Sequence, residues 1–453
     1  MPRKRELGPL DQRRRVARCE ACAIRKIKVN RNVVCAGGTP CDACNRRGKA
    51  CKRRSTEPAR AVFVFYEEAD DAALILSRVS RDMETIFIDQ FFAFLSCNQF
   101  APCPESLGAT LLPLVRQSSV LSLVAGAIGA LHASRHCSSA SYSRAESPQF
   151  KALQLYSRTI ESLKDALMDQ KVSGRDDVLW ATFLSGIFEL MIDHSGDGWA
   201  NHMLHGTSRL LQAAHPETSV SSPRKIFNQV FRMFEANRAM VYGGETILDS
   251  GGWAIVDTNE LPHVAKWDAL NTISSLMVQI SKFNARFYGY VTELISRDNG
   301  DPVLESFGAE AAEIQKRLFQ LRDTLLQIEM EDTRHETIPT NLALVYCFYM
   351  VIALFNTFDY YACWQLAQTP RLHRLELSAC VDQIVRRASV ILNTAGGPGL
   401  LLLIPLGVAG TRSWQDGQKT SVLALLDRVN VQGFVVANRI KHDLHAYWSL
   451  KRS

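Results

Sequence analysis

The sequence predicts a mostly α-helical protein, in which a small cysteine module is followed by a large all-helical domain. Three observations lead to this fold class. Six of the 12 cysteines lie between Cys19 and Cys51, which indicates a small module organised by its thiols. From about residue 80 onward, apolar residues recur at helical spacing, without the regular alternation that predicts a sheet. Hydrophobic residues make up 47% of the 453 residues, which is enough for a large core.

The first 18 residues are polar and basic, and we expect them to form a disordered arm. Two basic clusters, Arg3–Arg5 and Arg13–Arg15, are separated by seven residues, which resembles a bipartite nuclear localisation signal. The same clusters also suit an arm that only contacts phosphates, and the two roles can coexist. These residues contain no apolar run of the kind that a secretory signal needs. We therefore expect a nuclear protein in a reducing compartment.

Charge is distributed unevenly along the chain. Residues 1–55 contain 17 Lys and Arg and four acidic residues, a net charge of +13. The remainder contains 35 basic and 42 acidic residues, a net charge of −7. A basic head on a mildly acidic body predicts a polyanion as the partner of the head, and nucleic acid is the obvious candidate.

The cysteine module spans residues 19–54 and contains two close thiol pairs, Cys19-x-x-Cys22 and Cys41-x-x-Cys44. Such a turn presents two sulfurs to one metal, and thiolate ligands in a reducing cell favour zinc over disulfides or redox chemistry. A segment this small cannot fold on its own core, so zinc would supply about 10 kcal/mol of folding free energy. The other six cysteines lie in apolar surroundings and are expected to be buried free thiols: Cys97, Cys103, Cys137, Cys347, Cys363 and Cys380.

The two halves of the module, "CEACAIRKIK" and "PCDACNRRGKAC", resemble the fungal zinc binuclear cluster family. In that family six cysteines share two zinc ions, because the first and the fourth thiolates bridge the metals. The resemblance therefore implies a two-zinc module. Its six implied ligands are Cys19, Cys22, Cys35, Cys41, Cys44 and Cys51.

The third cysteine departs from the family pattern. Six residues follow Cys22 before Val29, which stands where the family has its third cysteine. Removing "VNRNVV", residues 29–34, places Cys35 at the family spacing from both neighbouring cysteines. Cys35 is then the third ligand displaced by six residues, either by a real insertion or by translation of a misplaced splice acceptor. A degenerate module, in which one zinc has only three thiolates, is the third interpretation.

By the same resemblance, a short helix after the first cysteine pair enters the major groove of DNA. Lys26 takes the base-reading place, where its amine suits the guanine acceptors of a CGG-type triplet. Ala23 stands where the family often has a basic residue. The side chains expected to contact phosphates are Arg25, Lys28, Arg46, Arg47 and Lys49.

Residues 55–79 are predicted to be a linker, and residues 80–453 an all-helical regulatory domain. Helical faces are marked by two sets of apolar residues: Met83, Phe87, Phe91, Phe94 and Leu95, and then Ala437, Ile440, Leu444 and Trp448. Loops are predicted at "VSGRDD", "HSGDGW", "YGGE", "DSGGW" and "TAGGPG". The most apolar stretch, "GLLLLIPLGVAG", is too short for a membrane span, and none is expected.

Three segments of this body resemble the all-helical regulatory region found behind fungal zinc clusters: "WANHMLHGTSRLLQAAHPE", "FRMFEANRAMVYGGETILDSGGW" and "IPLGVAGTRSWQDGQ". The first contains His202, His205 and His215, which are expected to be capping or core residues rather than metal ligands. The motifs of hydrolases, metalloproteases and nucleotide-binding enzymes do not occur in residues 80–453, so we do not expect an enzyme.

These expectations combine into a nuclear transcription regulator that binds double-stranded DNA and the transcription machinery. The resemblance adds control of a biosynthetic gene cluster and a homodimer, although no sustained heptad follows the module. Two alternatives remain open. One is a helical protein-interaction or metabolite-sensing regulator whose degenerate zinc module does not bind DNA. The other is a helical enzyme or small-molecule-binding protein with a structural zinc appendage.

Overall fold

Every regular element that the structure describes is helical. A computed structural model of the protein describes residues 42–45, 48, 50–51, 70–100, 107–136, 147–169, 172–213, 221–242, 246–249, 265–293, 302–331, 338–360 and 369–450. No strand occurs within these ranges. The chain divides into two units, Met1–Ile75 and Leu76–Ser453.

The described α-helices are α1 Asp42–Asn45, α2 Asp70–Cys97, α3 Leu107–Gln117, α4 Ser119–His136, α5 Pro148–Leu167, α6 Asp176–Ile192, α7 Asp197–Asn201, α8 Ser208–Ala213, α9 Ser222–Tyr242, α10 Ala265–Glu293, α11 Pro302–Glu331, α12 Ile338–Tyr360, α13 Arg374–Asn393, α14 Leu403–Thr411, α15 Asp416–Val431 and α16 Val436–Leu450. A π-helix, His202–Thr207, connects α7 to α8. Short 3₁₀ turns cover Val172–Gly174, Ile247–Asp249 and Gly399–Leu402.

Helix α2 confirms the first predicted apolar face, although it begins ten residues earlier than expected, inside the predicted linker. Four of its predicted core residues are buried, and only the side chain of Met83 lies outside the described part. They are Phe87, Phe91, Phe94 and Leu95. Helix α4 approaches α2 closely at Gly129, where a Cβ atom would lie 1.8 Å from the carbonyl oxygen of Phe87. Only glycine permits this contact between the two backbones.

Helices α4, α5 and α6 form one packed group. Helix α5 begins at Pro148 and is capped by Ser147, whose hydroxyl accepts a hydrogen bond from the Phe150 N–H (3.3 Å). Helix α6 is apolar around almost its whole circumference, so it is buried by α4, α5, α7 and the π-helix. Helix α5 instead buries one face and leaves the other exposed.

Helix α12 is the central helix of the C-terminal half and packs against α10, α11, α13 and α14. Its segment Ile338–Asp359 has a mean hydropathy of 1.9 and is long and apolar enough to cross a membrane. A prediction based on the shorter apolar stretch at residues 399–410 does not identify this helix. Because 83% of its apolar window is buried, it has the surroundings of a core helix.

The C-terminal helix α16 confirms the second predicted face. Ala437 and Leu444 are buried, and Ile440 and Trp448 pack against the core. The indole N–H of Trp448 donates a hydrogen bond to the carbonyl oxygen of Gly410 (2.9 Å). This bond joins α16 to α14.

Two predicted loops sit at left-handed glycines, Gly196 (φ 76°) in "HSGDGW" and Gly396 (φ 79°) in "TAGGPG". The predicted loop "VSGRDD" is a 3₁₀ turn followed by the start of α6. The loops "YGGE" and "DSGGW" lie mostly outside the described residues.

The prediction of buried thiols is correct for two of the three described cysteines in the body. Burial raises the pKa of Cys347 to about 12 and that of Cys380 to about 11, so both thiols stay protonated at neutral pH. The prediction is wrong for Cys97, which is exposed at the end of α2, whereas the nearby Phe94 and Leu95 are buried. Cys103, Cys137 and Cys363 lie outside the described residues.

Candidate functional site

The described part of the cysteine module is a short helix followed by a left-handed turn. Helix α1 begins directly after Cys41 in the sequence, includes Cys44 and ends at Asn45. Cys44 is buried, with 4% of its surface exposed, and Cys51 is half-buried. Gly48 has φ 57°, and its N–H donates a hydrogen bond to the carbonyl oxygen of Asn45 (3.2 Å). Glycine adopts this left-handed conformation without the steric cost of a Cβ atom.

Most of the predicted site residues lie outside the described part of the chain. Among the predicted ligands these are Cys19, Cys22, Cys35 and Cys41. Among the predicted DNA contacts they are Arg25, Lys26, Lys28, Arg46, Arg47 and Lys49. The hexapeptide at residues 29–34 also lies outside. The ligand set and the DNA contacts therefore remain predictions.

The chemistry of the module suits zinc. Six thiols are the donor set that zinc prefers in a reducing compartment, and Cys44 and Cys51 flank the turn at Gly48. Within the described residues, which include only Cys44 and Cys51 of the six thiols, no group of three His, Cys, Asp or Glu side chains is arranged to hold a metal ion.

The histidines of the body do not come together as a group. His202 is half-buried and its Nε2 lies 3.2 Å from the Tyr156 hydroxyl, which agrees with the expected core role. His205, by contrast, is exposed on the π-helix, neither core nor cap, so that expectation is wrong for this residue. His215 lies outside the described residues.

A hydrogen-bonded group connects α5, α6 and the π-helix. The Tyr156 hydroxyl donates to the Glu189 carboxylate (2.5 Å), and the Tyr156 ring stacks on Phe188. Burial, followed by the bond to Glu189, raises the pKa of Tyr156, so the phenol stays protonated and remains a donor. Burial lowers the pKa of His202 below its ordinary value of 6.5, so the neutral imidazole is favoured in the fold.

Helix α9, in the second family-like segment, contains a buried ion pair. The Arg238 guanidinium donates two 2.8 Å hydrogen bonds to the Glu235 carboxylate, and each side chain is 1% exposed. The Thr246 hydroxyl donates to the same carboxylate (2.9 Å), which connects the chain after α9 to the pair. Buried charges need partners of this kind because desolvation of an unpaired charge is costly.

A second buried charge, Arg387 on α13, joins three helices. It donates two hydrogen bonds to the Glu329 carboxylate of α11 (2.7 and 2.8 Å) and one to Asn341 of α12 (3.0 Å). These bonds to Arg387 hold the pKa of Glu329 below its ordinary value. The group positions α11, α12 and α13 relative to one another.

The third family-like segment also carries an arginine that bonds across helices. Arg412, just after α14, donates to Asn356 (2.6 Å) and pairs with Asp359, both on α12. Its guanidinium also lies 5.1 Å from the centre of the Phe355 ring. The family-like segments thus contain polar contacts that fix helix positions, and none of the described contacts resembles a catalytic arrangement.

A narrow cleft opens between α9, α10 and α12. Its polar lining comes from Gln99, Gln229, Asn271 and Ser274, and its volume is about 420 Å³ when the open mouth is included. The space that can hold the centre of a water molecule is only about 20 Å³, which is room for roughly one water. The cleft is therefore too narrow to serve as a preformed metabolite pocket.

Comparison with known proteins identifies this helical body. Residues 83–453 match the family model of the fungal specific transcription factor domain. The chain belongs to this family. Neither the curated proteins nor the solved structures contain a match. The fungal transcription factor domain covers α3 to α16 and most of α2, and it includes every buried polar group described above.

Family membership makes this protein a transcription regulator and favours that class over an enzyme. The buried charges of the domain were not predicted from sequence: Glu235 and Arg238 lie in the second family-like segment, and Arg387 lies outside all three. A signal was present in "FRMFEANRAM", where an acid and a base stand three residues apart on an otherwise apolar helix face.

Proposed function

We propose that this fungal transcription factor is a nuclear, sequence-specific DNA-binding regulator that reads CGG-type triplets through a zinc-stapled helix. The observation that carries the proposal is the presence of the family domain and of a six-cysteine basic module in one chain. The proposed organisation is a basic arm at residues 1–18, a zinc module at 19–54, a linker at 55–79 and a regulatory domain at 80–453.

Two zinc ions would be held by Cys19, Cys22, Cys35, Cys41, Cys44 and Cys51. Bound zinc supplies the folding free energy that a segment of this size cannot obtain from a core. The burial of Cys44 supports this assignment, and the left-handed Gly48 lies between Cys44 and Cys51.

DNA affinity would come from the net charge of +13 in residues 1–55, and specificity from Lys26. Lys26 donates to the guanine O6 and N7 atoms of the triplet. The phosphate contacts, which set the register but read no sequence, are assigned to Arg25, Lys28, Arg46, Arg47 and Lys49.

The other proposed partners of this protein are the transcription machinery and a second copy of the chain. The proposed location is the nucleus. The spacing of Arg3–Arg5 and Arg13–Arg15 supports import through a bipartite signal. Control of a biosynthetic gene cluster is the proposed biological setting, as the resemblance of the cysteine module implies.

One observation favours a second candidate function. Val29 stands in the place of the third ligand, so a module that leaves Cys35 unused would hold one zinc with three thiolates. The protein would then regulate transcription through protein contacts or a bound metabolite, without binding DNA itself.

Two lysine substitutions separate these candidates. Lys26→Ala should weaken binding to the cognate duplex by about 1–3 kcal/mol and relax the preference at one guanine. Lys49→Ala is the matched control, because loss of a phosphate contact should weaken all sequences equally and reduce the salt slope by about one unit. Fluorescence anisotropy of the zinc-loaded full chain on cognate and scrambled duplexes measures both.

The two proposals predict different binding isotherms. Sequence-specific binding with a selective defect in Lys26→Ala supports the DNA-reading module. Equal, weak binding of cognate and scrambled duplexes by the unsubstituted chain would favour the degenerate module. Indistinguishable effects of the two substitutions would remove Lys26 from its base-reading role.

A further inference from the structure

The π-helix His202–Thr207 packs closely against α6. Gly186 of α6 permits one contact, because a Cβ atom there would lie 3.3 Å from the Cβ atom of His202. Gly206 of the π-helix permits another, because a Cβ atom there would lie 2.6 Å from the methyl group of Thr182. Turns of π-helix are rare and often occur at functional sites, so this closely packed turn is a candidate for a regulated element.

Three polar groups in and beside the π-helix are buried without hydrogen-bond partners among the described residues. They are the Thr207 hydroxyl, the Ser208 hydroxyl and the Trp199 indole N–H, in residues that are 0%, 5% and 7% exposed. Each such group disfavours the closed fold, because it would bond to water in an opened segment. The segment 199–208 should therefore open at a lower free energy than the helices around it.

One chain of hydrogen bonds holds this segment against two neighbouring helices. The Tyr156 hydroxyl of α5 donates its only proton to Glu189 of α6 (2.5 Å), so its oxygen can bond to His202 only as an acceptor. The Nε2 atom of His202, 3.2 Å from that oxygen, must therefore carry the proton of the neutral imidazole. Any further proton then binds at Nδ1 and makes His202 a cation.

Proton uptake by His202 opposes the closed arrangement. Burial lowers the pKa of His202 below its ordinary value of 6.5, and the negative charge of Glu189 opposes this shift only in part. In an opened segment the imidazole would lie in water and have its ordinary pKa. The open form therefore binds more protons than the closed form. The closed form loses stability as the pH falls through 6.5 towards the lower pKa in the fold.

Other charged groups around the π-helix have different neighbours. Six titratable side chains lie on α6, α7, α8 or the π-helix, or directly after α6: Asp176, Asp177, Asp193, Asp197, His205 and Arg209. The first two form ion pairs at the start of α6, and Asp193 bonds to the serine two residues later. Asp197 interacts with Tyr242 of α9, and the last two are exposed. On α5, the residues one turn from the tyrosine of the chain are uncharged: Ala152, Leu153, Thr159 and Ile160. Within the described residues, Glu189 is therefore the charge that acts on His202.

We propose that Tyr156, Glu189 and His202 form a latch that holds the π-helix against α5 and α6 and that opens when His202 takes up a proton. Opening releases the segment 199–208, with its three unpartnered polar groups, while the rest of the core stays folded. The latch makes one part of the helical domain responsive to acidification. This inference goes beyond DNA reading and depends only on the helical domain, so it requires neither zinc nor DNA.

Hydrogen–deuterium exchange of the full-length, zinc-loaded chain tests the latch. The exchange rates are first corrected for the intrinsic pH dependence of amide exchange. Residues 199–208 should then open up to about tenfold more at about pH 5.5 than at about pH 7.5, because a proton that binds the open form with a pKa of 6.5 gives this ratio. Peptides from the central helix α12 should show no such change.

Two glutamine substitutions assign the pH effect to one histidine. His202→Gln retains an N–H donor for Tyr156 but does not titrate, so the pH dependence of opening should disappear. His205→Gln is the matched control, because His205 is exposed on the same π-helix, and it should retain the full effect. Circular dichroism should show the same helical content in both variants and in the unsubstituted chain.

A third variant tests the hydroxyl that joins the other two groups. Tyr156→Phe removes one hydrogen bond to Glu189 and one to His202. The opening of residues 199–208 should therefore increase about two- to tenfold at about pH 7.5, where His202 is neutral. Unchanged opening in this variant would show that the chain of hydrogen bonds does not hold the segment.

Two further results would overturn this inference. One is pH-independent opening of residues 199–208 in the unsubstituted chain, a result that requires no variant to fold. The other is the same pH dependence in His202→Gln as in the unsubstituted chain, which would assign the proton to a different group. Neither result bears on DNA reading, which the Lys26 and Lys49 comparison tests separately.

Discussion

The cysteine module and the helical domain of this transcription factor differ in what can stabilise them. The domain has a continuous core that extends from Phe87 in α2 to Leu444 in α16. The module has a net positive charge over residues 1–55, a single described helix of four residues and no long apolar face. If metal rather than a core stabilises this small basic segment, as we propose, its surface stays available for DNA.

Charged residues also have different environments in the two regions. In the domain, Arg238 and Arg387 are buried and are held by carboxylates. In the module, the basic residues are expected to remain available for phosphate groups. Three substitutions test these differences in stability and charge between the module and the domain, from the largest expected effect to the smallest.

The largest effect should follow from loss of a metal ligand. Native mass spectrometry of the full chain should show two zinc ions, and Cys35→Ala should reduce the count to one or unfold the module. Adding Val29→Cys to that variant should restore the second ion, because residue 29 has the family spacing. Cys97→Ala is the control, since Cys97 is exposed in α2 and outside the module. Two tightly bound ions in Cys35→Ala would show that Cys35 is not a ligand.

A smaller effect is expected from breaking the buried ion pair of α9. Glu235→Ala leaves Arg238 buried without its carboxylate and should destabilise the domain by about 3–5 kcal/mol. Glu310→Ala is the matched control, because its pair with Arg286 is much more exposed (34% and 56%) and should be worth about 0–1 kcal/mol. Urea unfolding followed by circular dichroism measures both.

The double variant Glu235→Leu/Arg238→Met sharpens this test. An apolar pair of similar volume removes both charges, so much of the lost stability should return. Equal unfolding free energies for Glu235→Ala and Glu310→Ala would contradict the account of the buried pair.

The smallest effect is expected at Gly48 in the module. A Cβ atom at this position meets no neighbour within 4 Å, so the left-handed φ of 57° is the only obstacle to a side chain. Gly48→Ala should therefore cost about 1–2 kcal/mol and weaken zinc binding about tenfold. Gly48→Asn is the control, because asparagine tolerates this conformation, and it should bind zinc more tightly than the alanine variant. Competition with a chelating dye gives the affinities, and equal values for the two variants would argue against a strained turn.

Helical periodicity allowed the fold class and two of the core faces to be predicted. The faces of α2 and α16 were recognised because their apolar residues recur at helical spacing. Periodicity does not reveal which helices cover a face, so the exposed Cys97 was assigned to the core. The exposed apolar side chains of α5, among them Leu153 and Ile160, were likewise not predicted from sequence.

The buried charges were not predictable from composition, because a charged residue within a helix usually faces solvent. Glu235 and Arg238 depend on Thr246, and Arg387 depends on Glu329, 58 residues earlier in the chain. Contacts between such distant residues are set by tertiary packing. For the module, cysteine spacing predicts ligands and a metal, and the structure adds the turn at Gly48.

Selection of random duplex DNA by the zinc-loaded full-length chain is the most direct test of the central claim, which is that a zinc-stapled module gives this transcription factor its sequence specificity. The account predicts that CGG-type triplets are enriched, and that the enrichment disappears after chelation and returns when zinc is added back. It also predicts that helical circular dichroism of the domain persists during chelation. No enriched triplet, or the same enrichment with and without zinc, would contradict the claim.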